Sequence, residues 1–127
     1  MKHTAALSFA AAVALFAMHA ALAQMQGADM TKMMQAMTPG PNDTASTKDL
    51  KKAHMDMMKN MNMEFTGDPD ADFARSMIEH HEGGIAMAKI ELQHGKNPEI
   101  RAMAEKLIKD QGNENGKFRA WLKKNAK

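Results

Sequence analysis

The sequence predicts an all-α protein, a small bundle of helices. Apolar residues recur at helical spacing over long stretches, no segment alternates with a period of two, and capping residues separate the stretches. The two longest predicted helices, about 69–94 and about 98–123, have matched lengths and a short turn between them. They should therefore form a long antiparallel helical hairpin, preceded by a shorter helix at about 47–63.

Each predicted boundary carries a recognisable signal. Ser46 and Asp49 fit a capping pattern at the start of the first helix. The segment TGDP (66–69) separates the first helix from the second, and GKNP (95–98) separates the second from the third. In both segments a capping side chain precedes a proline at the first helical position.

The first 23 residues are predicted to be a signal peptide. Lys2 and His3 form a short basic start, an apolar run follows, and Ala21-Leu22-Ala23 fits a cleavage site. The mature protein would begin at Gln24 and be periplasmic or otherwise exported, with no stable membrane insertion after cleavage. The alternative is an uncleaved membrane anchor.

Residues 24–45 are predicted to be a methionine-rich flexible tail and linker, followed by a helical-bundle metal-binding domain over 46–127. PGPND (39–43) breaks any helix. Within the tail, four methionines at helical spacing would present one face of sulfur as ligands: Met30, Met33, Met34 and Met37. The alternative is a disordered leader that binds nothing.

The composition excludes some classes of protein and favours others. The chain has 17 basic and 15 acidic residues, few aromatic residues and no basic block, so nucleic acid is not an expected partner. It has 15 methionines and no cysteine. Methionine is either core filler or a soft thioether ligand.

The histidines and methionines are predicted to share one layer of the bundle. Helical phase places His81 inward above Met77, with His80 at the edge of that face. Folding the chain back at residues 66 and 96 brings His54 level with Ile78. The predicted metal ligands are His54, Met58, Met77, His80, His81 and Met87, with Gln111, Glu114, Met61 and Met103 as weaker ligands or as residues beside the ligands. The alternative is a satisfied core histidine among core-filling methionines.

The ligand types favour copper in its reduced state. Imidazole alone suits several metals, but thioether is soft and neutral and favours Cu(I), with Ag(I) as a second candidate. We therefore expect Cu(I) to be preferred over Zn(II).

No catalytic arrangement is recognisable, and the protein is predicted not to be an enzyme. HEGGI (81–85) lacks the second histidine of the zinc-protease motif, and Glu91 with His94 forms a single Glu-x-x-His where a di-iron bundle needs two.

Three stretches, DFARSMIEHHEGGIAMA (72–88), NPEIRAMAEKLIKDQGNE (97–114) and WL (121–122), resemble the domain-of-unknown-function family 305 over about residues 47–123. The resemblance implies a ferritin-like, exported bundle, similar in some members to periplasmic copper-binding proteins of the CopM type that are linked to copper tolerance. It also implies that Met77, His80, His81 and Met87, and His54 with Met58, match the family motifs. The chain departs from the pattern at Glu79, Gly84, Asn115 and Phe118.

The sequence thus predicts an exported protein that buffers or carries Cu(I) in copper tolerance. Its expected partner is the metal ion, with another copper-handling protein and a homodimer as further candidates. The alternatives are a non-catalytic interaction or dimerisation module with a methionine-rich core and, less favoured, a di-metal ferritin-like enzyme.

Overall fold

The computed structural model describes residues 29–125, and all regular secondary structure in this range is helical. Residues 29–37 are helical, and three helices follow: α1 (Ala45–Met61), α2 (Pro69–His94) and α3 (Pro98–Asn125). The predicted all-α class and hairpin are confirmed. The predicted signal peptide lies outside the described residues. Among those described, no helix combines the length and apolar character needed to cross a membrane.

The chain divides into two compact units, Met1–Ala36 and Met37–Lys127. In the described part of the first unit, Met30, Met33 and Met34 are all exposed. In the second, the linker is held to α1, because Lys51 Nζ lies 2.9 Å from Asp43 Oδ2 and donates to the Thr38 carbonyl. The Gly40 N–H that donates to the Asp43 carboxylate, with Lys51 beside it, lowers the pKa of Asp43.

Helix α1 is shifted by two residues from its predicted position at both ends. Its N-cap is Thr44, not Ser46, since the Thr44 hydroxyl accepts the Thr47 N–H at 3.2 Å. The helix ends at Met61 rather than Met63, and residues 62–68 form a non-helical connection.

The bounds of α2 are those predicted, whereas α3 runs two residues further than predicted. The Asp68 carboxylate accepts the N–H groups of Asp70 and Ala71, and Pro69 occupies the first helical position. Asn97 Oδ1 caps α3 in the same way. Gly95 follows α2 with φ −71°, so this turn does not use the left-handed conformation common after helices.

Helix α2 is the central element of the second unit and packs antiparallel against both α1 and α3. Within residues 29–125, no Cα atom of α1 lies within 8 Å of one in α3. The buried apolar side chains of the described residues are five alanines and one isoleucine: Ala53, Ala71, Ala74, Ile78, Ala88 and Ala104. No methionine in the described range is buried. The core is therefore built from alanine, and the methionine-rich core of the alternative hypothesis is wrong.

The adjacent glycines of α2 each let a different helix approach. A Cβ atom at Gly83 would lie 2.5 Å from Met57 Sδ of α1, and a Cβ atom at Gly84 would lie 2.6 Å from Gln111 Oε1 of α3. Real Cβ atoms do not come so close to a neighbour. The helix is continuous, and it contains two adjacent glycines because neighbouring helices pack closely on two of its sides.

The predicted position of α1 along α2 is wrong by about eight residues, or about 12 Å. Met57 lies against Gly83, His94 Nε2 lies 2.8 Å from Asp49 Oδ2, and Ser76 Oγ donates to Met63 Sδ at 3.7 Å. His54 is therefore level with Met87 rather than Ile78. The physical reason is the extended connection 62–68, which runs back along the first turns of α2. A helix over the same residues would span a much shorter distance along α2.

The connection 62–68 is held by one carboxylate at the start of α2. Asp72 accepts the Thr66 N–H at 2.8 Å, the Thr66 hydroxyl at 2.7 Å and the Gly67 N–H at 2.9 Å. The Thr66 N–H bond is the main cause of the lowered pKa of Asp72. Gly67 has φ +86°, a conformation that suits glycine.

We expect Asp72→Asn to lower the melting temperature at about pH 7. Because the folded-state pKa of Asp72 is lowered, its ionised form stabilises the fold above the unfolded pKa of about 3.9, and this contribution is lost as the pH falls through the folded pKa. The melting difference between variant and wild type should thus shrink below about pH 4. Asp70→Asn is the matched control, since Asp70 takes part in the cap through its backbone N–H. A difference that persists undiminished in acid would contradict this origin.

Candidate metal site

The α1–α2 interface has one charged edge and one edge rich in histidine and methionine. An open groove of about 400 Å³ follows the charged edge, with Asp49, Lys52, Asp56, Lys89 and Gln93 among its lining residues. Helical phase in two antiparallel helices places a second set along the opposite edge, on the side of α3. This histidine–methionine edge comprises His54, Met58 and Met61 of α1, and Met77, His80 and Met87 of α2.

The contact of Met57 with Gly83 fixes the levels along this edge. It puts His54 level with Met87, and Met61 level with His80. The two His–Met pairs are separated by seven residues, or about 10 Å. The predicted single layer is thus replaced by a row of two pairs, with Met58 between them.

His54 has the hydrogen bonding expected of a histidine that presents a lone pair. Its Nδ1 lies 2.9 Å from the Leu50 carbonyl oxygen. A carbonyl accepts, so Nδ1 carries the proton and Nε2 keeps its lone pair. A bond from the other ring nitrogen to a carbonyl orients most metal-binding histidines. His54 is partly exposed, and an ion from solvent can approach it.

The two neighbouring histidines of α2 lie in different environments. His80 is exposed, whereas His81 is 5% exposed, and their ring centroids are 6.2 Å apart. The inward orientation predicted for His81 is confirmed. Glu82, the next residue, is exposed and accepts a bond from Arg119 at 2.8 Å. His81 faces α3 and is bonded to Asn115, whereas the histidine–methionine edge follows the α1 side, so the predicted single layer is divided between two faces of α2.

His81 belongs to a buried hydrogen-bond chain between α2 and α3. Asn115 Nδ2 donates to the Ile78 carbonyl at 3.4 Å, and Asn115 Oδ1 lies 3.0 Å from His81 Nδ1. The amide oxygen accepts, so His81 Nδ1 is the donor and Nε2 faces Glu114 Oε2 at 3.5 Å. The level is one turn from the prediction, which placed His81 opposite Gln111.

Asn115 was not predicted as a site residue, although it is 5% exposed and orients His81. The signal was available, because an asparagine on the apolar face of a helix needs a buried partner. Gln111 and Glu114, predicted as weaker ligands, lie on α3 within about one turn of Asn115. Gln111 Oε1 is buried with no hydrogen-bond partner.

Met103 is not brought to either group of residues. It is 58% exposed and lies eight residues from Gln111 along α3, or about 12 Å. Its interpretation as a weaker ligand is therefore wrong. Of the other predicted tail ligands, Met37 is half-buried and belongs to the second unit.

Aromatic side chains lie at the end of the hairpin away from its turn. Phe73 and Phe118 make an edge-to-face contact with centroids 5.8 Å apart, and with Trp121 they line an open pocket of about 470 Å³. Phe118 is also 6.0 Å from the His81 ring. Phe73 is 58% exposed, so it lies at the edge of the α2 face that meets α3.

The protein is small and all-α, and side chains of the types that bind metal ions lie along one of its helix–helix interfaces. Within residues 29–125, no three His, Asp or Glu side chains lie together as a metal site. The chain belongs to the family described as Domain of unknown function (DUF305), whose pattern matches residues 3–122. No curated protein matches the chain.

Proposed function

We propose that this protein is an exported copper-binding protein that buffers or carries Cu(I), with Ag(I) as a second cargo, along its histidine–methionine edge. The observation that carries the proposal is His54, whose Nδ1–H is held by the Leu50 carbonyl at 2.9 Å while Nε2 stays free. The same edge supplies thioethers at the levels of both histidines.

The methionines support the proposal by where they lie. Core filler should be buried, yet Met58 and Met87 are half-buried and Met61 is 38% exposed. A thioether at the surface contributes little to the core but is available to a soft ion. Neutral imidazole and thioether together suit Cu(I), and the chain has no cysteine to compete with them.

Export, copper tolerance and a ferritin-like, CopM-type relationship are part of this proposal. They rest on the signal-like residues 1–23 and on the motif resemblance, in which His54, Met58, Met77, His80 and Met87 match the family pattern. Such a carrier performs no catalysis, and its partner would be another copper-handling protein.

The test is an anaerobic competition for Cu(I) against a coloured chelator, with the full mature chain. We expect the double variant His54→Ala/His80→Ala to bind Cu(I) at least about tenfold more weakly than wild type, because one ligand is lost from each pair. His94→Ala is the matched control, since His94 is bound to Asp49 at the end of α2, where the edge has no predicted ligand.

Zn(II) in excess should not displace this copper, because thioether is a poor ligand for zinc. Melting of each apo protein shows whether a variant has lost its fold rather than its ligands. Equal Cu(I) affinities in the double variant and the control, with both folded, would refute the proposal. A wild type that dimerises and holds no stoichiometric metal would favour the interaction module.

A further inference from the structure

The contact between His81 and Glu114 is not an ordinary hydrogen bond. Asn115 fixes the proton on His81 Nδ1, so His81 Nε2 and Glu114 Oε2 are two acceptors that face each other at 3.5 Å. The other histidine–carboxylate pair of the chain behaves differently, since His94 Nε2 and Asp49 Oδ2 are 2.8 Å apart. Two acceptors this close are stabilised by a cation between them, either a second proton on His81 Nε2 or a metal ion.

The separation of the two atoms suits a metal ion. Zinc binds imidazole nitrogen at about 2.0–2.1 Å and carboxylate oxygen at about 2.0–2.2 Å, in a tetrahedral arrangement. Two ligand atoms at those distances and a tetrahedral angle are about 3.3–3.5 Å apart. A direct hydrogen bond would draw them to about 2.9 Å.

A third acceptor lies within one helical turn. Gln111 is three residues before Glu114, and its Oε1 is buried beside Gly84 with no donor. A buried carbonyl oxygen without a partner destabilises the fold, and a bound cation would remove that cost. The His81 side chain is 7% exposed and that of Glu114 is 54% exposed, so an ion can enter past the carboxylate.

We propose that His81, Glu114 and Gln111 form a second metal site between α2 and α3, which takes a borderline divalent cation such as Zn(II). Its donors are one imidazole nitrogen and two oxygens, with solvent water completing the tetrahedron. Carboxylate and amide oxygens are hard ligands that disfavour Cu(I). The two interfaces of α2 therefore select different ions, and this site does not depend on the proposed copper function.

The test is titration of the metal-free mature protein with Zn(II) by calorimetry, and with Co(II), whose visible absorption reports tetrahedral coordination. We expect one ion per chain, and at least about tenfold weaker binding in Glu114→Gln, with a smaller loss in Gln111→Ala. Glu114 is largely exposed, so its variant should fold. Glu105→Gln, an exposed glutamate on the same helix, is the matched control and should bind as wild type does.

The Cu(I) competition is repeated on the same variants and should give unchanged Cu(I) affinity in Glu114→Gln. A wild type that binds neither Zn(II) nor Co(II) would overturn the second site, leaving a shared proton as the cation. Equal Zn(II) affinity in Glu114→Gln and Glu105→Gln would also overturn it. Failure of the copper proposal would instead appear in the His54 and His80 variants.

Discussion

Gly83→Ala is expected to lower the free energy of unfolding of the metal-free protein by about 1–3 kcal/mol, the usual cost of overpacking. The added Cβ would lie 2.5 Å from both Cγ and Sδ of Met57, and 2.9 Å from its Cβ. Since the Met57 Cβ atom is fixed to the backbone, rotation of the side chain cannot relieve the overlap, and α1 must move away from α2. Urea unfolding followed by circular dichroism measures the change.

Gly112→Ala is the matched control, because nothing lies within 4 Å of a Cβ at that position in α3. Alanine there should raise the stability by about 0.4–1 kcal/mol, through helix propensity and a less flexible unfolded chain. Gly84→Ala should fall between the two, since the atom it meets is the mobile end of Gln111. Equal effects of alanine at positions 83 and 112 would show that α1 does not approach α2 at Met57.

Asn115→Ala should destabilise the protein by about 1–3 kcal/mol, because it leaves one buried donor, the Nδ1–H of His81, without its acceptor. The Ile78 carbonyl loses the additional bond from Asn115 but stays within the helical bonding of α2. Asn113→Ala provides the comparison: the side chain is exposed on the same helix and should cost little or gain slightly in helix propensity.

Denaturant unfolding of both asparagine variants, with the metal removed, measures this difference. An Asn115→Ala protein as stable as Asn113→Ala would mean that water replaces the lost amide at little cost, and that the chain of hydrogen bonds does not position His81.

The ends of the helices were predictable where capping and proline coincide. Asp68 before Pro69 and Asn97 before Pro98 give local signals, and both starts are confirmed. Thr44 and Ser46 are both acceptable N-caps, and the choice of Thr44 depends on how the preceding linker is held by Asp43, which local sequence does not show.

The level of α1 against α2 was not predictable in the same way. It depends on whether residues 62–68 continue the helix or extend, and an extended residue advances the chain about twice as far as a helical one. Three bonds to Asp72 from residues five and six positions earlier hold the extended form. These contacts exist only once the connection has folded back on α2.

The different orientations of the adjacent His80 and His81 were predictable in part. Helical phase correctly placed His81 inward and His80 at an edge, but not which helix each would meet. That depends on the positions of α1 and α3 around α2. In the structure α1 approaches α2 at Gly83, and α3 approaches it at Gly84. The hypothesis of a methionine-rich core was furthest from the structure, because alanines form most of the buried core.

The central position of α2 has a consequence for local stability. Helix α1 contributes a single buried residue, Ala53, whereas α2 contributes six and is held on two sides. Regions with few buried contacts open at lower free energy than the global unfolding of a domain. Within residues 29–125, α1 and α3 share no close contact, so an opening of α1 breaks no contact between α2 and α3. His54 would then move away while His80 stays on the folded hairpin. Under the proposed function, an ion bound between them would be released through this local opening of α1.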